Sequence, residues 1–262
     1  TIPCAMPPAA ESIPKTEAAY RTLRREILLA RLAPGLQLKL GALRSSYDLG
    51  WTPLREALSR LEAERLVVAS HNRGYAVAPM QRGDLDDLQQ ARLAVELPAL
   101  LESIRNGGDD WEAAVITAHY RLARCQLLAD ETSDALLDAW EDRHDIFHTA
   151  LISACSSQWL LRFHAQISDQ MRRYHRVLNQ GPARGSTRDA MAIEHHTALM
   201  EAALERDAAR AQALLEEHVQ STVTVFEAAA APPSAPAPAS RQKRVSTPPL
   251  HDSAKYYFLL FI

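Results

Sequence analysis

Between residues 84 and 226 this chain repeats its apolar residues at three- and four-residue intervals, with only a few interruptions. That is the period of an α-helix showing one face to a core. Candidate helices run over 84–105, 110–128, 133–155, 158–179, 187–205 and 207–226. The breaks fall at Asn106-Gly107-Gly108, at Ser156-Ser157 and at 181–185, with a restart at Asp207 after Arg206. Helices with one apolar stripe each must bury it against one another, so the segment predicts a bundle of six or seven helices. No apolar run approaches the ~18–20 residues of a membrane span.

The N-terminal part reads differently. Residues 1–13 are rich in Pro and Ala and predict disorder. A helix with Thr16 as its cap follows, with Tyr20, Leu23, Ile27 and Ala30 on one face and Pro34-Gly35 ending it. A short helix spans 40–47. Thr52 then caps and Pro53 opens a third, each in its preferred position. That helix buries Leu54, Ala57, Leu58 and Leu61 and turns Arg55, Ser59 and Glu62 outward. Past Arg65 the period falls to two, on either side of Asn72-Arg73-Gly74, which predicts a β-hairpin. Three helices and a hairpin over 14–80 make a winged helix-turn-helix; a small α+β interaction module fits the same pattern.

Charge separates these readings. Residues 1–82 carry a balance of +5, residues 83–230 one of −11, and residues 231–262 one of +3, within an overall −3. A basic small segment beside an acidic larger one favours DNA as the first segment's partner. Arg55 stands outward at the start of the second helix of the pair, where recognition helices meet base edges. Nine glycines and 6% aromatics argue against a β-sandwich or a Gly-rich nucleotide fold. Three cysteines without paired spacing (Cys4, Cys125, Cys155) and no secretory pattern suit the cytoplasm. Residues 229–262, with AAAAPPSAPAPAS at their start and an apolar end at 256–262, predict a disordered tail; a peptide that docks on the bundle is the other reading.

Four histidines occupy positions where leucines are expected. His144 and His148 interrupt the stripe Leu137, Trp140, Phe147 and Leu151; His196 interrupts Ile193, Leu199 and Ala203; His218 interrupts Ala211, Leu215, Thr222 and Val225. Four buried imidazoles without partners would cost several kcal/mol. A divalent metal ion would satisfy one nitrogen of each neutral ring. Carbonyl- or water-bonded core histidines would also account for the pattern. His164, His175 and His195 recur in no shared inward pattern, and His195 reads as a neighbour of His196, either supporting the ligands from behind or lying at the surface. Arg92 lies in the stripe Leu85, Leu88, Val95 and Ala99, where a guanidinium needs an anion. Glu96 one turn on could supply it, which would make Arg92 structural; a carboxylate ligand is the alternative.

The residues from Pro34-Gly35 through TPLREALSRLEAE (52–64) to Asn72-Arg73-Gly74 resemble the DNA-binding domain of GntR-family bacterial transcription regulators. Phe147-His148, His196 and His218 resemble the ligand-binding bundle of its FCD (FadR-type) subfamily, over 84–228. The GW-TPLREALSRL form is similar to the family's carbon-starvation branch. The resemblance implies a cytoplasmic homodimer, a repressor in sign, on a pseudo-palindromic double-stranded DNA operator. It also implies a small carboxylic acid effector held near a metal, with Arg92 as the effector residue. The DNA-facing set it implies is Arg44, Thr52, Arg55, Ser59, Arg60, Arg73 and Gly74. Two departures stand out. His144 takes a place where the family carries Asp or Asn, which adds no charge and shifts preference toward zinc or nickel. Gly50-Trp51 replaces the family's Ser-Arg. A metal-responsive regulator and a metal-dependent hydrolytic enzyme fused to a winged helix use the same histidines, but no HExxH or carboxylate pair supports the enzyme.

Overall fold

The computed structural model describes residues 13–70, 74–125, 133–180 and 186–230, with side chains except at 70, 179–180, 186–192 and 223–230. The disorder expected for 1–12, the turn residues Asn72 and Arg73, the break at 181–185 and the tail beyond 230 lie outside the described residues. The chain divides into two compact units that meet in sequence at Ala78 and Pro79.

The first unit contains α1 (Lys15–Leu28), β1 (Gln37–Leu38), α2 (Leu40–Tyr47), α3 (Trp51–Ala63), β2 (Val67–Ser70) and β3 (Gly74–Val77). Its core joins Ala19, Leu23 and Ile27 of α1 to Leu54, Leu58 and Leu61 of α3, closed by Leu43, Leu66 and Val77. The hairpin pairs Val67 with Val77 and Ser70 with Gly74. Gly74 takes φ +81°, a conformation that L side chains rarely adopt.

Three expectations need correction. The first helix stops at Leu28 rather than at Pro34, because Ala30 turns to φ 51° and the amides of Arg31 and Leu32 close onto the Glu26 carbonyl. Pro14, not Thr16, holds the N-cap; Thr16 lies inside the helix and its hydroxyl donates to Glu56 at 2.8 Å. Likewise Gly50, not Thr52, is the N-cap of α3, which places Thr52 second in the helix. Capping preference locates the region and mistakes the residue. The structure also adds a third strand, β1, that no sequence period announces. Two residues are too few for a period, and the strand forms by pairing Gln37 with Ala76 and Leu38 with Tyr75, giving the order β1-β3-β2.

The second unit contains α4 (Arg82–Asn106), α5 (Asp109–Ala123), α6 (Asp134–Leu151), α7 (Gln158–Gln180), α8 (Ser186–Leu204) and α9 (Ala208–Ala230). The six-helix reading holds among the described residues, and most predicted boundaries fall within a few residues. Helix α6 ends at Leu151 rather than at residue 155, since Ser153 and Cys155 turn back onto the carbonyls of Ala150 and Ile152. Ser133 caps α6 by accepting the Leu136 amide. Arg206, at φ 61°, closes α8, and Asp207 accepts the Arg210 amide at the start of α9. Ala99, Leu100, Val115, Leu122, Phe147, Leu199 and Leu215 form the core, drawing on five helices. No helix among the described residues is long and apolar enough to cross a membrane.

Candidate metal centre and nucleic-acid interface

The interrupted stripes converge. His144 and His148 project one turn apart from α6, His196 from α8 and His218 from α9, all buried. Their ring centroids lie 4.6–6.0 Å apart in every pairing among the four. One nitrogen of each lies within 4.8 Å of one from every other. Nitrogens bound to one zinc can be no more than about 4.2 Å apart, twice the bond length, so a small inward rotation of the rings closes the set. Trp140 stacks on His144 at 5.0 Å and orients it.

Electrostatics favours neutral donors. Burial holds His148 and His218 well below the ordinary imidazole pKa, and the neighbouring His and Arg92 groups add to the effect. Nε2 of His148 and Nε2 of His218 are buried without a hydrogen-bond partner. Neutral imidazoles clustered in a buried core, each able to offer one ring nitrogen, are what a borderline cation binds. The residues present therefore fit a divalent ion.

Arg92 is buried on α4 beside this cluster. Its Nε donates to Glu96 at 2.9 Å, and its Nη2 lies 3.4 Å from Nδ1 of His148. Glu96 does supply the structural anion, but only to one edge of the fork: Nη1 is buried with no hydrogen-bond partner. Both readings of Arg92 thus hold part of its geometry. Burial alone would raise the Glu96 carboxyl; the charge of Arg92 and the adjoining His164 ring outweigh it and bring it down to about 2.

The structure corrects the place of two histidines that fall outside any shared inward pattern in the sequence. His164 is buried, with Nδ1 3.1 Å from Glu96. The His175 ring meets the His144 ring edge-on at 5.1 Å. Both lie on α7, whose register against α6 and α4 no sequence period reveals. His195 is half-buried, with Nε2 3.9 Å from Glu217. Sequence reasoning also misses Gln89, whose Nε2 donates to the Val219 carbonyl while its buried Oε1 has no partner. It misses Glu141, one turn before His144, as well. Burial pushes that carboxyl up to about 8 although Arg172 and Arg176 stand 3.5 and 3.7 Å away. A Gln or Glu within an apolar stripe is the available signal.

In the first unit, Trp51, Thr52, Arg55 and Ser59 are exposed and share one face of α3 at the 3.6-residue period. Arg44 of α2 is exposed, with its guanidinium 5.2 Å from the Trp51 ring centre. Gly74 is exposed at the start of β3; Arg73 lies outside the described residues. Arg60 turns back on α1, donating to Glu17 at 2.8 Å and lying 3.7 Å over the Tyr20 ring. This sets it apart from the face shared by Arg55 and Ser59.

Two family models match: "Bacterial regulatory proteins, gntR family" over residues 15–77 and "FCD domain" over residues 87–221. The HTH-type transcriptional regulator BphR of Paraburkholderia xenovorans is 39% identical over 211 residues, 80% of this chain and 84% of that one. The HTH-type transcriptional repressor GlaR of Escherichia coli is 35% identical over 212 residues, 81% of this chain and 96% of that one. The E. coli McbR/YncC structure shares the fold with a TM-score of 0.67 at 19% identity, over 83% of this chain and 99% of that one. A GntR regulator from Rhodococcus sp. RHA1 does so with a TM-score of 0.63 at 21% identity, over 82% and 98%. These relatives are regulators rather than enzymes. A winged helix-turn-helix followed by an FCD bundle, matched along both parts, makes this chain a DNA-binding transcriptional regulator of the GntR family.

Proposed function

We propose that the protein is a cytoplasmic homodimeric repressor on a pseudo-palindromic operator, and that a small carboxylate bound between a divalent ion and Arg92 sets its DNA affinity. The observation that carries this reading is the open Nη1 edge of buried Arg92 beside four clustered imidazoles. A guanidinium edge without an acceptor in a dry interior is costly, and a carboxylate oxygen satisfies it. The ion, held by His144, His148, His196 and His218, would supply a Lewis-acidic positive charge. Zinc or nickel suits imidazole donors. Because four neutral rings bring no charge, the ion's own charge stays uncompensated and favours an anion. An octahedral ion with four protein ligands keeps two positions for it, whereas a tetrahedral zinc keeps none. The name of the E. coli relative supports repression. In the first unit, Arg44, Thr52, Arg55, Ser59 and the Arg73-Gly74 wing are the DNA-facing set, with Arg60 assigned to holding α3 on α1.

The test uses a duplex selected by the full-length protein from random DNA, titrated with and without a panel of short mono- and dicarboxylates. An acid that binds the zinc- or nickel-loaded protein should weaken its DNA affinity at least tenfold, about 1.4 kcal/mol of coupling. A chelator should abolish the effect, and Arg92→Lys, which keeps the charge on Glu96 but loses the fork, should blunt it. An acid shown by thermal shift to bind while DNA affinity stays unchanged would overturn the regulatory reading. A response to the metal alone would make the ion the effector.

A further inference from the structure

An indole is an unusual group to leave in water at the mouth of a DNA-reading helix. Trp51 is the first residue of α3, and 47% of it is exposed. One side of the ring is occupied by the guanidinium of Arg44, 5.2 Å from the ring centre. Among the described residues no carboxylate is bonded to Arg44 or to Arg55. The indole is therefore oriented by a cation, and the face that carries it also presents Arg55 and Ser59. Residues at the N-terminal end of a recognition helix are those that reach base edges, while the preceding helix of the pair crosses the sugar-phosphate backbone. In the major groove an apolar ring finds a single apolar feature, the C5-methyl group of thymine.

We infer that Trp51 is a specificity-determining residue that packs its indole against a thymine C5-methyl in the major groove, while Arg44, held across the ring, donates to a backbone phosphate. The cation–π contact fixes two flexible side chains before DNA arrives, which lowers the ordering cost of both contacts. The inference rests on α3 being the DNA-reading helix. It makes the operator preference of this chain depend on a methyl group where an arginine would read a guanine.

The experiment replaces each thymine of a selected duplex, one at a time, with deoxyuridine, which removes only the methyl group. The full-length protein should show one thymine per half-site whose replacement weakens binding about fourfold, the worth of one buried methyl-sized group. Trp51→Ala should bind the parent duplex more weakly and be indifferent to that replacement, and Trp51→Leu should retain part of the sensitivity. Both variants are checked for unchanged thermal unfolding, as expected for an exposed residue. Arg44→Ala should lower the slope of log affinity against log salt by about 0.9 for each phosphate that the variant leaves unneutralised. A wild type indifferent to every replacement, or a Trp51→Ala variant with undiminished sensitivity, overturns the assignment of Trp51. An unchanged salt slope overturns that of Arg44. Arg55→Ala separates the premise: if it binds as wild type does, α3 is not the reading helix and the inference falls with it; if only the Trp51 results fail, the premise stands without it.

Discussion

Two buried carboxylates show how a single residue's surroundings set the direction of a pH effect. Glu96 is held at about 2, below its usual 4.5, by Arg92 and His164 against the opposing effect of burial. Its contribution to stability is fully present above pH 4.5 and is lost as pH falls through 2. From the size of that shift it is on the order of 3 kcal/mol. Glu141 is the reverse case, raised by burial to about 8. Its contribution is present below pH 4.5 and falls away as pH climbs to 8. In urea unfolding across pH, Glu96→Gln should flatten the acid limb between pH 4.5 and 2. Glu141→Gln should gain on wild type between pH 4.5 and 8 and hold that gain above 8. Parallel curves for wild type and both variants would contradict the assignments.

Among the elements, the ends of the bundle helices decide where the site residues point. Ser133 fixes the start of α6, the helix that carries two of the four histidines, by accepting the Leu136 amide at 3.2 Å. Ser133→Ala should cost about 1 kcal/mol in chemical unfolding. At the turn from α4 to α5, a Cβ on Gly107 would sit 2.4 Å from the Trp111 ring. That ring cannot retreat, because its Nε1 donates to the carbonyls of Ala150 and Leu151 and Arg206 lies over its face. Gly107→Ala should therefore cost about 1–3 kcal/mol by overpacking. Gly83, in the first turn of α4 with open space around its Cβ position, is the control. Gly83→Ala should stabilise by about 0.4–1 kcal/mol through the unfolded state. The same Cβ would meet the Ser103 carbonyl oxygen at 2.7 Å, so equal effects of the two substitutions would show that both Trp111 and that backbone yield.

For the molecule as a whole, the division into two units predicts that metal acts on one of them directly. Zinc or nickel binding at His144, His148, His196 and His218 would join α6, α8 and α9, which already share a core through Phe147, Leu199 and Leu215. Ligand bound only to the folded state stabilises it, by about 2.7 kcal/mol at a hundred times the dissociation constant. Hydrogen exchange with and without a chelator should show faster exchange in peptides from α6, α8 and α9 once the metal is removed. Peptides from α1 and β2 should not change. Uniform exchange in both conditions would mark the four imidazoles as core residues without an ion.

Local pattern is enough to set the helices, the hairpin and the inward positions of His144, His148, His196, His218 and Arg92. All of these follow from period and from turn residues, which act within a few residues of one another. The outward face of α3 is legible for the same reason. Which neighbours those residues meet is settled by the packing of distant segments. Strand β1 exists because β3 offers it a ladder edge, not because Gln37 and Leu38 prefer to be extended. Thr16 bonds Glu56, forty residues away, instead of capping its own helix. His164 reaches Glu96, and Arg60 reaches Glu17 on α1, through the packing of whole helices. A residue's period tells which way it points; what waits there depends on the register of a distant element, which no local pattern encodes.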